Sequence, residues 1–253
     1  MPAGPGVAHL LQGALSRAAD LLRRVVAEAD ADRDVIHGAA GIGQAHLSAF
    51  CGRHESALAA AREAVALCDG LSGHGAGPAH GALAVAALAA GDLDTAARAS
   101  ADAAERSHIG PAALVALLQG DAEAARHYGD AAVAAAGGWR LMTALTIHAR
   151  IAVADADHDR AYRDAHRALS VSREIGSDLG VPDILETLAA VACAAQNHCE
   201  AARLVAAADS IRHRLGSCRF KVYEPWHRNL SYRIRDGLGA DDCADAWDQG
   251  AAL

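Results

Sequence analysis

Five times along this chain a helix-length apolar stretch is cut by a short polar break and followed by a second stretch that opens near an alanine. The breaks are Cys51-Gly-Arg-His-Glu-Ser, Gly91-Asp-Leu-Asp-Thr, Gly120-Asp-Ala-Glu-Ala, Ala156-Asp-His-Asp-Arg and Gln196-Asn-His-Cys-Glu. Gly, Asp and Asn in these breaks can end one helix and cap the next within a few residues. The expectation is a row of five helical hairpins.

A register appears when the alanine just after each break is taken as an anchor: Ala57, Ala96, Ala125, Ala161 and Ala201. Twelve residues earlier stand Ala45, Ala84, Ala113, Ala149 and Ala189; seven residues later stand Ala64, Ala103, Ala132, Ala168 and Ala208. With alanine near a quarter of the chain, ten matches by chance have naive odds of about one in a million, a figure that helix-rich alanine bias weakens. Seven residues are two helical turns, so the second and third alanines of each unit share one face. Side chains this small let two antiparallel helices approach at the close end of the usual separation. Such a hairpin cannot bury its outer face alone and must stack on its neighbours.

The register resembles the tetratricopeptide repeat, whose signature has small residues at these three places. That likeness implies an all-α, TPR-like α-solenoid of about five hairpins. Departures are visible. The family's large aromatic positions are Ser48, Ala87, Ala116, Ala152 and Ala192 here, and the anchors are spaced by 39, 29, 36 and 40 residues. Pro111 leaves the third hairpin a first helix of only about nine residues before Gly120.

Around this array, residues 1–33 form an N-terminal element in which Val7 to Ala29 reads as one amphipathic helix, a cap or a truncated hairpin. The repeats occupy 34–216. Residues 217–253 differ in character: Phe220, Tyr223, Trp226, Tyr232 and Trp247 fall here, and two helices after Pro225 are expected to cap the row.

Composition narrows the function classes. Hydrophobic residues make up 52% of the chain and aromatics only 4%, so a core must be assembled from many small contacts. High alanine, few β-branched residues and 6 prolines oppose a sandwich, a barrel or a dinucleotide-binding sheet. A net charge of −8 gives no electrostatic footprint for nucleic acid. No basic segment precedes an apolar run at the N-terminus, and the charge-free stretch from Gly70 to Gly91 has too short an apolar part to span a bilayer. Six cysteines without a CxxC spacing read as reduced thiols of a cytoplasmic protein.

The run AARLVAAADSIRHRLG from Ala201 to Gly216, a Trp with an Arg-rich helix after it, and LGADDCADAWDQGAAL from Leu238 to Leu253 are similar to the end of the helical-repeat region of large bacterial LuxR-type regulators related to MalT. Arg173 to Gly180 and Leu185-Glu-Thr-Leu-Ala also resemble their inter-repeat phrase. In that family the repeats follow an NTPase module and precede a helix-turn-helix. No GxxxxGK[ST] is present, and Leu253 falls where the family would soon enter its DNA-binding domain. The expectation is that this polypeptide itself neither uses ATP nor binds DNA.

Candidate chemistry is sparse. Asp155-Ala-Asp-His-Asp159 opens like a calcium loop, but Arg160 and His166 stand where such a loop needs Gly and Glu, so it reads as a capped turn. Glu28 to Asp34 fails in the same way. No two of the 14 histidines are three or four apart, so no helix presents a metal-binding pair. The glycine-rich stretch Gly73 to Pro78 reads as a linker. No cofactor, metal or catalytic residue is expected, and the chain is read as non-enzymatic.

Function in a helical-repeat array resides on its inner surface. By tetratricopeptide analogy the first helices line it, which points to Ile42, His46, Phe50, Val85, Leu88, Leu114, Leu117, Leu118, Thr146, Arg150, Val153, Glu186 and Cys193. The groove residues singled out from these are His46, Phe50, Leu88, Leu117, Thr146, Arg150, Glu186 and Cys193. A mostly apolar face of this kind suits a protein segment, a neighbouring regulator domain or a small effector. The alternative is a stand-alone cytosolic TPR-like adaptor.

Overall fold

The computed structural model describes residues 15–28, 33–69, 75–238 and 240–252. The described residues form thirteen α-helices and one 3-10 turn, with no strand. They are α1 (Leu15–Glu28), α2 (Arg33–Phe50), α3 (His54–Asp69), α4 (Ala76–Ala90), α5 (Leu93–Glu105), α6 (Gly110–Gln119), α7 (Ala122–Ala135), α8 (Trp139–Ala154), α9 (His158–Ile175), α10 (Val181–Ala194), α11 (His198–Leu215), the turn Lys221–Tyr223, α12 (Glu224–Leu238) and α13 (Ala240–Ala251). The N-terminal helix is seen from Leu15, with Ala18 and Leu22 buried; Leu10, Leu11 and Ala14 of the expected apolar stripe lie outside the described residues. So do Asp30 and Asp32 of the second acidic run and Gly73 and His74 of the glycine-rich stretch, whose residues 76–78 are not a linker but the first turn of α4.

All five predicted breaks separate two helices. The turn geometry repeats with the alanine register. Five residues before each anchor the backbone is left-handed, at Gly52 (φ 71°), Gly91 (φ 82°), Gly120 (φ 79°), Ala156 (φ 59°) and Gln196 (φ 62°). Around four of these residues two hydrogen bonds close the first helix, as in Arg53 N–H to Ser48 O with Gly52 N–H to Ala49 O, and Asp157 N–H to Ala152 O with Ala156 N–H to Val153 O. After the last four of these turns the next residue caps the second helix. Asp92, Asp121 and Asp157 accept from the backbone of Thr95, Ala124 and Arg160 at 3.0 Å, and Asn197 accepts from Glu200 at 3.3 Å. Asp157 is therefore a cap, and Asp155 is engaged by Arg126 at 2.9 Å, so the calcium-like run is a turn.

Ala156 and Gln196 carry a Cβ at a position where glycine is free, which costs roughly 1 kcal/mol for an L side chain. Ala156→Gly or Gln196→Gly is expected to stabilise its unit by about 0.5–1 kcal/mol despite glycine's greater freedom when unfolded. Urea unfolding checks this, and a loss of stability in both variants would contradict the strain.

The cap at Asp92 carries a pH signature. The Thr95 backbone N–H holds its carboxyl below the usual range, helped by the Thr95 side chain. A depressed folded pKa stabilises above the ordinary carboxylate pKa and is lost as pH falls through the folded value. The cap should therefore be intact at neutral pH and fade only below about pH 4. Asp92→Ala should cost about 1 kcal/mol at neutral pH and flatten that acid limb of the melting curve.

All fifteen register alanines are buried, none more than 6% exposed. The helices divide into two units. The first comprises Met1–Gly120 with Gly216–Val222, and the second Asp121–Leu215 with Tyr223–Leu253. In the first unit α2 pairs with α3 and α4 with α5; α3 also packs on α4, α2 on α4, and α6 on α5. One of its cores consists of seven buried alanines, Ala45, Ala49, Ala57, Ala61, Ala82, Ala86 and Ala89, with Phe220 packed against them. In the second unit α8 pairs with α9 and α10 with α11, while α9 and α8 both pack on α10. Helices α12 and α13 close this unit by packing on α11, through Leu230, Ile234 and Ala246 with Trp226 and Trp247 at the margin. At Gly250 a Cβ would meet the backbone oxygen of Arg203 at 2.3 Å, so only glycine permits that approach of α13 to α11. The third predicted hairpin, α6 and α7, is divided between the two units at Gly120.

Candidate functional site

The predicted groove residues fall into two groups, one in each unit. In the first unit His46, Phe50 and Leu117 are half-buried and Leu88 is fully buried. The His46 Nδ1 donates to the Ile42 carbonyl one turn earlier at 2.8 Å, and burial holds this imidazole below its ordinary pKa. Phe50 ends α2 and stacks on Phe220 with centroids 5.2 Å apart. Cys218 donates its backbone N–H to the Phe50 carbonyl at 2.7 Å, and Lys221 Cβ lies 3.3 Å from where a Cβ on Gly91 would be. Residues 216–222 thus lie as a strap against the ends of α2 and α4.

In the second unit Thr146, Arg150, Glu186 and Cys193 are all buried. This corrects the expectation that they line an open groove. Thr146 turns its hydroxyl back onto the Met142 carbonyl at 2.8 Å, and Cys193 belongs to the core shared with Val205 and Ile234. Leu88 of the first unit is likewise a core side chain.

Arg150 and Glu186 anchor a buried polar cluster instead. Arg150 donates from Nε to Thr187 Oγ1 at 3.3 Å and from Nη2 to the Asp183 carbonyl at 3.4 Å. Its Nη1 makes no hydrogen bond; the guanidinium carbon lies 3.8 Å from the Tyr223 ring centroid and 5.2 Å from that of Trp226. A cation over aromatic faces recovers part of what burial takes from it. Glu186 on α10 is 0% exposed and accepts from Arg212 on α11 at 2.6 Å, with His227 Nδ1 3.4 Å away. Arg212 also reaches Asp183 at 2.9 Å and Asp209 at 3.4 Å. Burial alone would pull the Arg212 pKa down, but the Asp183 and Glu186 carboxylates overcome it and hold the guanidinium charged. Tyr223 is pushed up to about 12, first by burial, so its phenol stays neutral.

Sequence reasoning singled out Arg150 and Glu186 but missed Asp183, Thr187, Arg212, Tyr223, Trp226 and His227, which complete their surroundings. The signal was present: two charged positions on an otherwise apolar face need partners.

A second polar cluster joins α7, α8 and α9. The buried His148 ring bonds Asp130 and Asp164, each at 2.8 Å, and Arg160 bonds Asp130 at 3.0 Å. The His148 hydrogen bond is the first of the causes that hold Asp130 below the carboxylate range. In the first unit His80 lies between Asp69 at 3.2 Å and Asp102 at 3.5 Å. These are clamps between successive helices. Among the described residues no group of three His, Cys, Asp or Glu side chains could hold a metal ion, and no helix is long and apolar enough to cross a membrane.

This arrangement is an all-α scaffold of repeated hairpins, with residues 216–222 against α2 and α4 in the first unit and Tyr223 against Arg150 in the second. Over 258 aligned residues, 98% of the chain, it is 37% identical to proteins of Mycobacterium tuberculosis and Mycobacterium bovis that carry the provisional name HTH-type transcriptional regulator. The chain spans 29% of the length of these relatives. It is thus a helical region related to one part of such regulators. No family model matches it.

Proposed function

We propose that the chain is the TPR-like interaction module of a LuxR-type, MalT-related transcriptional regulator. In this reading it is non-enzymatic and works in the cytoplasm. It passes a signal by binding a protein segment, a neighbouring regulator domain or a small effector on the face of its first helices. The observation that carries the reading is similarity along nearly the whole chain to a limited stretch of much longer regulators, together with hairpins in a fixed alanine register. A helical scaffold by itself would name no function.

The accessible part of that face is the half-buried pair His46 and Leu117, Phe50 being stacked on Phe220. In the second unit Arg150 is covered by the Tyr223 ring, and a partner reaches it only by displacing that ring. Calorimetric titration with the separately produced remaining parts of the Mycobacterium tuberculosis relative tests this. The expected result is saturable binding of one part with a Kd below about 100 μM, weakened roughly tenfold by His46→Glu with Leu117→Glu. No binding of either part at that concentration would oppose the regulator reading and favour a stand-alone adaptor.

A further inference from the structure

The strap brings two thiols together at the end of α2. Cys51 directly follows that helix, and Cys218 lies in the segment between α11 and the 3-10 turn. The backbone N–H of Cys218 donates to the Phe50 carbonyl at 2.7 Å. In a trans peptide a carbonyl oxygen lies about 2.8 Å from the following Cα. The bond therefore places the Cα atoms of Cys51 and Cys218 at most about 7 Å apart, and closer wherever the path bends, which overlaps the roughly 4.4–6.8 Å of a disulfide.

The sulfur is on the correct side as well. A Cβ built on Gly52 would lie 3.0 Å from Cys218 Sγ, so the thiol sits against the turn that carries Cys51. The Phe50–Phe220 contact fixes the strap on one side of this point and the left-handed Gly52 fixes the turn on the other. Cys218 is exposed, Cys51 is half-buried, and both are free thiols.

We propose that Cys51 and Cys218 form a dithiol modification site that a low-molecular-weight disulfide oxidises to an intramolecular disulfide, locking residues 216–222 onto the end of α2. The proposal stands on this geometry and is independent of the regulator reading. Cys218 loses its proton and attacks one sulfur of the small disulfide; that S–S bond breaks and one small thiolate leaves with its electron pair. Cys51 then loses its proton and attacks Cys218 Sγ, releasing the second small thiolate. The two protein protons end on the two released thiols, so the protein is oxidised by two electrons and the small disulfide is reduced by two. The order follows from access and acidity. Burial pushes the Cys51 thiol up; Arg53 opposes this and the charge of Cys218 adds to it, which suits Cys51 to the resolving role.

The test uses the full chain incubated with oxidised glutathione, alkylated, and digested with trypsin without reductant. The expected product is one linked species joining residues 34–53 to residues 215–219, about 2 Da lighter than the two thiol peptides together. Cys51→Ser should abolish it and leave Cys218 as the glutathione mixed disulfide. Cys218→Ser should abolish it and slow modification of Cys51. A wild-type digest in which Cys218 persists as the mixed disulfide, or is joined to Cys199, would overturn the proposal.

Discussion

Replacing Arg212 with alanine is expected to cost the chain about 3–5 kcal/mol, the range for removing one partner of a buried ion pair. Arg212 is the cation bonded to Glu186, a carboxylate with no solvent exposure. Without it Glu186 loses its 2.6 Å guanidinium bond in a site with no solvent exposure, while Asp183 still has partial access to water. A carboxylate in that position that loses its main cation is pushed to take up a proton or to pull its surroundings open. Urea unfolding of Arg212→Ala measures the loss directly. Arg212→Met with Glu186→Leu should recover most of it, because a buried pair exchanged for apolar side chains of similar volume is often neutral or stabilising. A loss below about 1 kcal/mol in the single variant would mean that the cluster is not sealed from water.

The second large effect concerns the alanine seam. Ala57→Leu is expected to cost about 3 kcal/mol, at the upper end for an overpacked core. Its environment explains the size. Ala57 is fully buried in a cluster whose other six buried members are also alanines, so no other buried member can give up volume to receive an isobutyl group. The helices must move apart, which opens contacts along the whole seam. Ala59→Leu, on the exposed side of the same helix, should change stability by no more than about 0.5 kcal/mol. Equal effects at the two positions would contradict the seam.

Much of the fold was legible because it is written in local spacing. Ala45, Ala57 and Ala64 lie on one hairpin, and the Gly52 turn between them is a few residues long; such relations survive in a linear reading. Two non-glycine left-handed turns, at Ala156 and Gln196, fall in the breaks that the polar residues marked, whereas a third, at Ser107 between α5 and α6, falls in none of them. The strap was not legible in the same way. Cys218 meets Phe50, and Tyr223 meets Arg150, across long separations that no helical period encodes. The groove assignment treated the first helices as though nothing returned over them, so Arg150 and Glu186 were expected at a surface. The clustering of Phe220, Tyr223 and Trp226 read as a cap; α12 and α13 do close the second unit, but the residues just before them lie against α2, α4 and Arg150. The division at Gly120 also went unseen, because the sequence marks the same kind of helix-to-helix turn there as at the other four breaks.

The account rests most heavily on residues 216–222 lying against the ends of α2 and α4 and on Tyr223 lying against Arg150. Amide hydrogen exchange of the free chain, read across that segment, measures this. Protection at Cys218 and through the Tyr223 turn of about a hundredfold or more over open chain is the expected result. Exchange of residues 217–227 at the rate of an unstructured peptide would show a loose linker and contradict the contacts at Phe50 in the first unit and at Arg150 in the second.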